Sequence, residues 1–229
     1  MTPTYTTDRL ELRLGDCMDL MRDTPDGFYD LAIVDPPYGI NVGDNKAGMG
    51  RRKGDARATY KMGDWDHTPP HAAYFNELFR VSKQQIVWGA NHFISLMPMD
   101  SPCWLIWDKT FANDVSFADA ELAWSSFKST AKKFTRHPGD ADRIHPTQKP
   151  VALYKWLLAN YAKPGQRILD THLGSGSHAI ACHYFGAHLT AAEIDPDYFA
   201  AAIDRIKRET QQVELPLATA PSSEQRPLL

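Results

Sequence analysis

The spacing of apolar positions divides the chain into alternating strands and helices. Leu10–Leu14 alternates apolar and polar residues, the period of a half-buried strand, and Gly15-Asp16 ends it. Cys17–Met21 reads as a short helix. Asp30–Val34 (DLAIV) is a short apolar run stopped by Asp35-Pro36-Pro37, as expected of a parallel strand buried on both faces. Residues 39–66 are Gly-rich and basic with little periodicity, and a loop of that length is usually functional or disordered. The pattern then predicts a helix over Pro70–Val81, a strand over Gln85–Trp88 and a short helix over Asn91–Met97. Strands follow at Cys103–Trp107 and Glu121–Trp124. Pro150–Tyr161 sets Leu153, Leu157 and Tyr161 on one helical face, with proline suited to the first turn. Arg167–Asp170 is a strand that runs into a Gly-rich turn and a helix over Ser177–Phe185. His188–Ala192 is a strand ending at Glu193, and Pro196–Lys207 is amphipathic through Phe199, Ile203 and Ile206. Strands alternating with helices imply an α/β, doubly wound, mostly parallel sheet in a single domain over residues 8–210. Residues 211–229, rich in Pro, Ser, Gln and Thr, read as a flexible tail.

Composition adds a core but no global field. The 229 residues are 43% hydrophobic, and a net charge of −3 does not announce a polyanionic partner. The charge is local. Lys46, Arg51, Arg52, Lys53, Arg57 and Lys61 face only Asp44 and Asp55 between positions 41 and 61, and a second basic run holds Lys128, Lys132, Lys133, Arg136 and Arg143. Either run taken singly reads as a solvated loop. Cys17, Cys103 and Cys182 form no close pair, which argues for a reducing compartment and against a zinc site, so no metal is expected. There is no signal-peptide core and no apolar run long enough to span a bilayer, so the expected location is the cytoplasm.

Three constellations carry candidate chemistry. In Asp170-Thr171-His172-Leu173-Gly174-Ser175-Gly176-Ser177, a turn between strand and helix, Gly174 and Gly176 allow close backbone approach to a ligand at the carboxyl end of a strand. Glu193 ends the next strand about 20 residues on, placed to accept hydrogen bonds from a ribose diol. The third glycine of a dinucleotide fingerprint is missing. Gly15-Asp16-Cys17 offers a carboxylate for the amino group of a cofactor adenine, although Asp16 taken alone is better read as a helix cap. Asp35-Pro36-Pro37-Tyr38 is a stiff segment with two acceptors, the Asp35 carboxylate and the Pro36 carbonyl, beside an aromatic face. That set suits a planar base bearing an amino group. The amino nitrogen of adenine is a poor nucleophile because its lone pair is delocalised, and two acceptors on its hydrogens favour a pyramidal nitrogen.

Asp35-Pro36-Pro37-Tyr38, His145-Pro146-Thr147-Gln148-Lys149-Pro150 and Asp170…Gly174-Ser175-Gly176 together resemble the amino-methyltransferases of DNA. Their order, catalytic before cofactor motif, resembles the permuted β group of that family. Trp88-Gly89-Ala90-Asn91 and Trp104-Leu105-Ile106-Trp107-Asp108-Lys109 are fainter matches. The resemblance implies a seven-stranded sheet with S-adenosylmethionine across its carboxyl ends. Gly174, Ser175, Gly176 and Ser177 would pass under the methionine part, with Asp170 and His172 beside it. Glu193 and Ile194 would meet the ribose and adenine, as would Asp16 and Cys17, and Thr147 and Lys149 the donor's carboxylate. Asp35, Pro36, Pro37 and Tyr38 would be catalytic, with Tyr38 stacked on a flipped base. It implies double-stranded DNA as partner, contacted by the basic loop and by Lys132, Lys133 and Arg136, a candidate target-recognition segment over residues 110–145, and a homodimer as one assembly.

The chain departs from the family at Thr171-His172, where Pro-Phe is usual, so a histidine would take the aromatic contact to the donor. The implied activity is methyl transfer to adenine N6. The alternatives are cytosine N4, for which Ser is commoner at position 35, an RNA substrate, and a non-catalytic DNA-binding subunit.

Overall fold

Strand β3 (Leu31–Val34) is buried at all four positions, as its unbroken apolar run requires, and it takes a central place in the sheet. The computed structural model describes residues 5–40, 68–110, 118–138, 143–145 and 147–211. The strands are β1 (Tyr5–Thr6), β2 (Leu10–Leu14), β3, β4 (Gln85–Trp88), β5 (Leu105–Asp108), β6 (Ala120–Ser125), β7 (Lys132–Thr135), β8 (Arg167–Asp170) and β9 (His188–Glu193). The helices are α1 (Cys17–Arg22), α2 (Ala72–Val81), α3 (Val151–Tyr161), α4 (Ser177–Phe185) and α5 (Pro196–Thr210).

The sheet runs β1-β2-β9-β8-β3-β4-β6-β5-β7. Its five-strand centre, β2-β9-β8-β3-β4, is parallel throughout. β6 runs antiparallel to both β4 and β5, and β7 is parallel to β5. The sheet therefore has nine strands among the described residues, where the resemblance implied seven. The two unforeseen ones are at its edges. β1 is two residues long, and β7 (KKFT) alternates half-buried and exposed positions but opens on two adjacent lysines, so it read as a basic run. Asn91–Met97 forms two short 3-10 turns, Ala90–His92 and Ile94–Leu96, in place of one helix.

Alternate residues of each central strand feed two cores. Leu31 and Ile33 join Ile86, Trp88, Ile168 and Leu189 under α3, α4 and α5. Ala32 and Val34 join Val87 and Leu169 under α1 and α2. Period-two alternation sends successive side chains to opposite faces, so helices on both faces demand apolar residues at every position. α3 and α4 pack against each other, and Leu157 of α3 and Ala181 of α4 are both fully buried in the same core. Asp195 caps α5 by accepting from the backbone N–H groups of Asp197 and Tyr198 at 2.8 and 3.2 Å. Among the described residues no helix is long and apolar enough to cross a membrane.

The parallel centre points the carboxyl ends of five strands to one edge, and reversed β6 brings its amino end there too. Asp16, Glu193, Asp170, Asp35, Gly89 and Glu121 all lie along that edge because of strand direction alone. Replacing Leu157 by Ala opens a cavity beneath α4. The expected cost is about 2–5 kcal/mol, read by urea denaturation as a lower midpoint with an unchanged slope.

Candidate active site

Asp35 follows the last residue of β3, and its side chain keeps 19% of its surface exposed. Both oxygens are engaged. The Tyr38 hydroxyl donates to Oδ1 at 2.7 Å, and the Lys149 ammonium donates to Oδ2 at 2.6 Å. Lys149, 3% exposed, also donates to Glu121 Oε2 at 2.8 Å and to the Tyr38 hydroxyl oxygen at 3.2 Å, which uses all three ammonium hydrogens. Its Nζ lies 5.5 Å from the Trp88 ring centroid and 5.6 Å from that of Tyr38. Lys109 pairs with the other Glu121 oxygen at 2.6 Å. Two carboxylates and two ammonium groups thus form one compensated cluster.

The charges shift one another. Burial pushes Asp35 up, the Lys149 charge pulls it down and the Glu121 charge raises it again, leaving it above the usual carboxylate range. Burial also opposes ionisation of Glu121, but Lys149 and Lys109 outweigh it and hold that carboxyl down at about 2. For Lys149, burial disfavours the charge while Asp35 and Glu121 more than restore it, so its pKa is raised. The lysine is therefore charged at neutral pH.

Tyr38 is seated by its surroundings. Its ring stacks on His92 with centroids 5.2 Å apart and planes 16° from parallel. On Gly89, at φ +70°, a Cβ would come 2.0 Å from the Tyr38 ring. The faint Trp88-Gly89-Ala90-Asn91 match thus has a physical reason: only glycine leaves room for the tyrosine and adopts that φ without strain.

The Gly-rich turn leaves β8 beside Asp35. Asp170 Oδ1 accepts from the His172 backbone at 3.0 Å, and Oδ2 meets His178 Nδ1 at 3.0 Å in a fully buried pair. Burial disfavours the His178 charge, but Cys182 and Asp170 raise its pKa to about 10. Gly174 donates to Glu193 Oε2 at 2.9 Å, and Asp195 donates to Oε1 at 3.0 Å, so Glu193 ties the turn to the end of β9. A Cβ on Gly174 would meet nothing nearer than 3.9 Å, whereas one on Gly176 would press on Ile206 at 2.9 Å. Gly174 therefore presents open backbone, and Gly176 lets the turn close on α5. Ser175 and Ser177 are buried, and Arg205 donates to both hydroxyls.

His172 is half-buried, with its Nδ1 2.9 Å from the Thr171 hydroxyl and its ring edge-on to Tyr74 at 5.7 Å. Burial lowers it to about 4 against the pull of Asp170 and Asp16, so the ring is neutral at neutral pH. Asp16 caps α1, its carboxylate accepting from Met18 N at 2.8 Å, and Cys17 beside it is pushed up to about 12 by burial and by the Asp16 charge. Ile194 is 63% exposed at the same edge. Thr147 turns to His145, hydroxyl to Nδ1 at 3.1 Å.

The structure thus gathers Asp16, Cys17, Asp35–Tyr38, Lys149, Asp170–Ser177, Glu193 and Ile194 along one edge. It sets Lys149 on Asp35, where the resemblance implied a donor carboxylate. Glu121 escaped the sequence reading. Its only signal is a lone acid in an apolar strand, legible once β6 is known to run backwards. Of the expected DNA contacts, Lys46, Arg51, Arg52, Lys53, Arg57 and Lys61 lie outside the described residues. Lys132 bonds Asn160 at 2.9 Å and Lys133 pairs with Asp108 at 3.1 Å, while Arg136 is exposed just past the end of β7.

Comparison with known proteins matches this arrangement. YubD of Escherichia coli (strain K12), named as a methylase, is 24% identical over 86% of this chain and 92% of its own length. The solved PvuII DNA methyltransferase (cytosine-N4-specific) superposes with a TM-score of 0.61 at 12% identity, over 91% of this chain and 93% of its own. The M1.HpyAVI–SAM complex gives 0.57 at 16% identity, over 88% and 99%. At those identities the solved structures establish the fold. The family model described as DNA methylase matches residues 87–204, more than half of the sequence, and the chain belongs to that N6/N4 amino-methyltransferase family.

Proposed function

We propose that this protein methylates the N6 amino group of adenine in double-stranded DNA, with S-adenosylmethionine as donor. The observation that carries the reading is an aspartate at position 35, at a sheet edge between the Tyr38 ring and the Gly-rich turn. The residues present fit the donor. Gly174 offers open backbone, Glu193 a half-buried carboxylate at a strand end and Ile194 an exposed apolar side chain. When bound, the donor supplies an electrophilic methyl group on a sulfonium.

The chain's part is to present the nucleophile. A stacked adenine cannot reach this edge, so the base is extruded from the duplex. The exposed His92 ring occupies a stacking position against Tyr38. A base taking that place stacks on the tyrosine, a contact worth about 1–3 kcal/mol. The Asp35 carboxylate and Pro36 carbonyl accept the two amino hydrogens and orient the lone pair. Orientation of this kind can supply roughly 7–11 kcal/mol of the barrier. Backbone contacts from the two basic segments position the duplex without specifying sequence.

Transfer of radiolabelled methyl from S-adenosylmethionine to unmethylated genomic DNA, with nucleoside analysis, tests the reading. N6-methyladenine is expected, with Asp35→Ala slowing transfer by ~10²-fold or more. N4-methylcytosine as the product would overturn the adenine assignment, and no transfer to DNA would overturn the substrate.

His172 gives a second expected outcome. As the ring takes up a proton on acidification towards pH 4, a cation grows beside the sulfonium. Donor affinity measured by calorimetry should fall with acidification in the wild type and fall less steeply in His172→Phe, where protonation of the Glu193 carboxyl, raised by burial, is left as a cause. At neutral pH the phenylalanine should bind the donor ~2–10-fold more tightly, the worth of a fuller aromatic contact.

A further inference from the structure

Each Asp35 oxygen already accepts one hydrogen bond, from Tyr38 or from Lys149, so a substrate amino group engages that carboxylate best once the lysine loosens its hold. The lysine then needs another partner. The ammonium is buried, so it cannot leave for solvent, and a buried cation deprived of its partner is strongly destabilising. The second carboxylate within reach is Glu121, at 2.8 Å. It comes from β6, outside all the motifs discussed above, and its other oxygen is anchored by Lys109 at 2.6 Å.

We propose that Glu121 is a positioning residue that retains the Lys149 ammonium when the Asp35 carboxylate turns to the substrate amino group. This rests on the reading of Asp35 as the acceptor for that group. The geometry suits a handover. Lys149 already bridges the two carboxylates, so it need only loosen the bond to Asp35 Oδ2 and keep the one to Glu121 Oε2. The Trp88 and Tyr38 rings flank the ammonium throughout. Tyr38 senses the exchange, because its hydroxyl donates to Asp35 and accepts from Lys149. Base entry, release of Asp35 and seating of Tyr38 are thereby coupled through one hydrogen-bonded group.

Glu121→Gln keeps the size and a hydrogen-bond acceptor but removes the charge. Asp35 is then the one carboxylate bonded to Lys149. The groups that face Asp35 are Tyr38 from its own segment, Lys149 ahead of α3, and Glu121 from β6 with Lys109, just past β5, behind it. The Asp35 charge in turn raises Tyr74 of α2 and Tyr154 of α3, and the Lys149 charge lowers His145. Of these, only Glu121 loses its charge in the variant. A negative charge that raised Asp35 disappears while the Lys149 charge that lowered it remains. The Asp35 carboxyl should therefore titrate at lower pH, measured by carbon NMR of the labelled carboxyl in the free enzyme. The acid limb of kcat against pH should move the same way. At the pH optimum kcat should fall by ~10-fold or more with donor affinity, measured by calorimetry, unchanged.

Glu121→Gln added to Lys149→Met should cost kcat nothing further, since Glu121 acts through the lysine. A Glu121→Gln enzyme with the wild-type Asp35 midpoint and acid limb would overturn the proposal, whatever its thermal stability. Were that variant unfolded, Glu121→Asp serves instead: the charge is kept but withdrawn, so the Asp35 midpoint should stay close to wild type while kcat drops, and an unchanged kcat would overturn the proposal. The Asp35 midpoint is read without DNA, so an enzyme that methylates cytosine in place of adenine would refute the adenine assignment and leave this test intact.

Discussion

The site depends on one buried ammonium. Asp35 and Glu121 approach each other at the edge of the sheet because β3 and β6 run in opposite directions on either side of β4. Two carboxylates sharing a site repel, and one of them would protonate if nothing lay between them. Lys149, 3% exposed, lies between them and its charge pulls both down, holding Glu121 at about 2 while burial and the Glu121 charge keep Asp35 above the usual carboxylate range. Deleting one member of such a buried pair typically costs about 3–5 kcal/mol because the other is left uncompensated. Residues 147–150 are thus fixed to the sheet by their lysine, and with them the start of α3. Where the lysine goes, the Tyr38 ring follows, since hydroxyl and ammonium are bonded.

The topology explains why the parts of the site come from distant stretches of chain. β2, near the amino terminus, pairs in parallel with β9, near the end of the described chain, over five residues from Leu10↔Leu189 to Leu14↔Glu193. That pairing sets Asp16 next to Glu193 with no contact in sequence. Gly15 donates from its backbone to the Glu193 carbonyl at 2.7 Å, closing the corner. The central strands then carry Asp170 and Asp35 side by side, so the donor and acceptor halves of the proposed reaction are neighbours across a strand pair.

Much of this was legible in the sequence. Buried strands announced themselves as apolar runs, and Asp35 and the Gly-rich turn were placed by the strands that precede them. What escaped has a physical reason in each case. β7 is a short edge strand, Lys-Lys-Phe-Thr, whose exposed positions are polar and whose paired lysines are a feature that solvated loops share. Glu121 carries no motif, and its importance follows from the direction of β6, a tertiary fact. For Lys149 the sequence allowed a bond to the donor's carboxylate or a structural, snorkelling lysine, and the structure adds its bond to Asp35. The burial that makes Asp35 its partner cannot be read along the chain. The Asp16 cap was foreseen from the helix that follows it, and capping leaves other lone pairs of the carboxylate for a ligand.

Charge is also sorted along the edge. On the Asp35 side, two carboxylates face two lysines, and the cluster is compensated. On the Gly-rich side, Asp170 is compensated by His178, but Asp16 and Glu193 are held by backbone N–H groups and meet no cation in the contacts described above. The histidines there, His172 and His145, are depressed to about 4 and carry no charge at neutral pH. One half therefore retains negative potential and the other does not. A positively charged sulfonium is favoured where the negative charge is left over, and a neutral base where it is cancelled. The raised Asp35 carboxyl lies at the boundary. This sorting suits methyl transfer from a cation to an uncharged amine, since the two reactants are drawn to adjacent places for different electrostatic reasons.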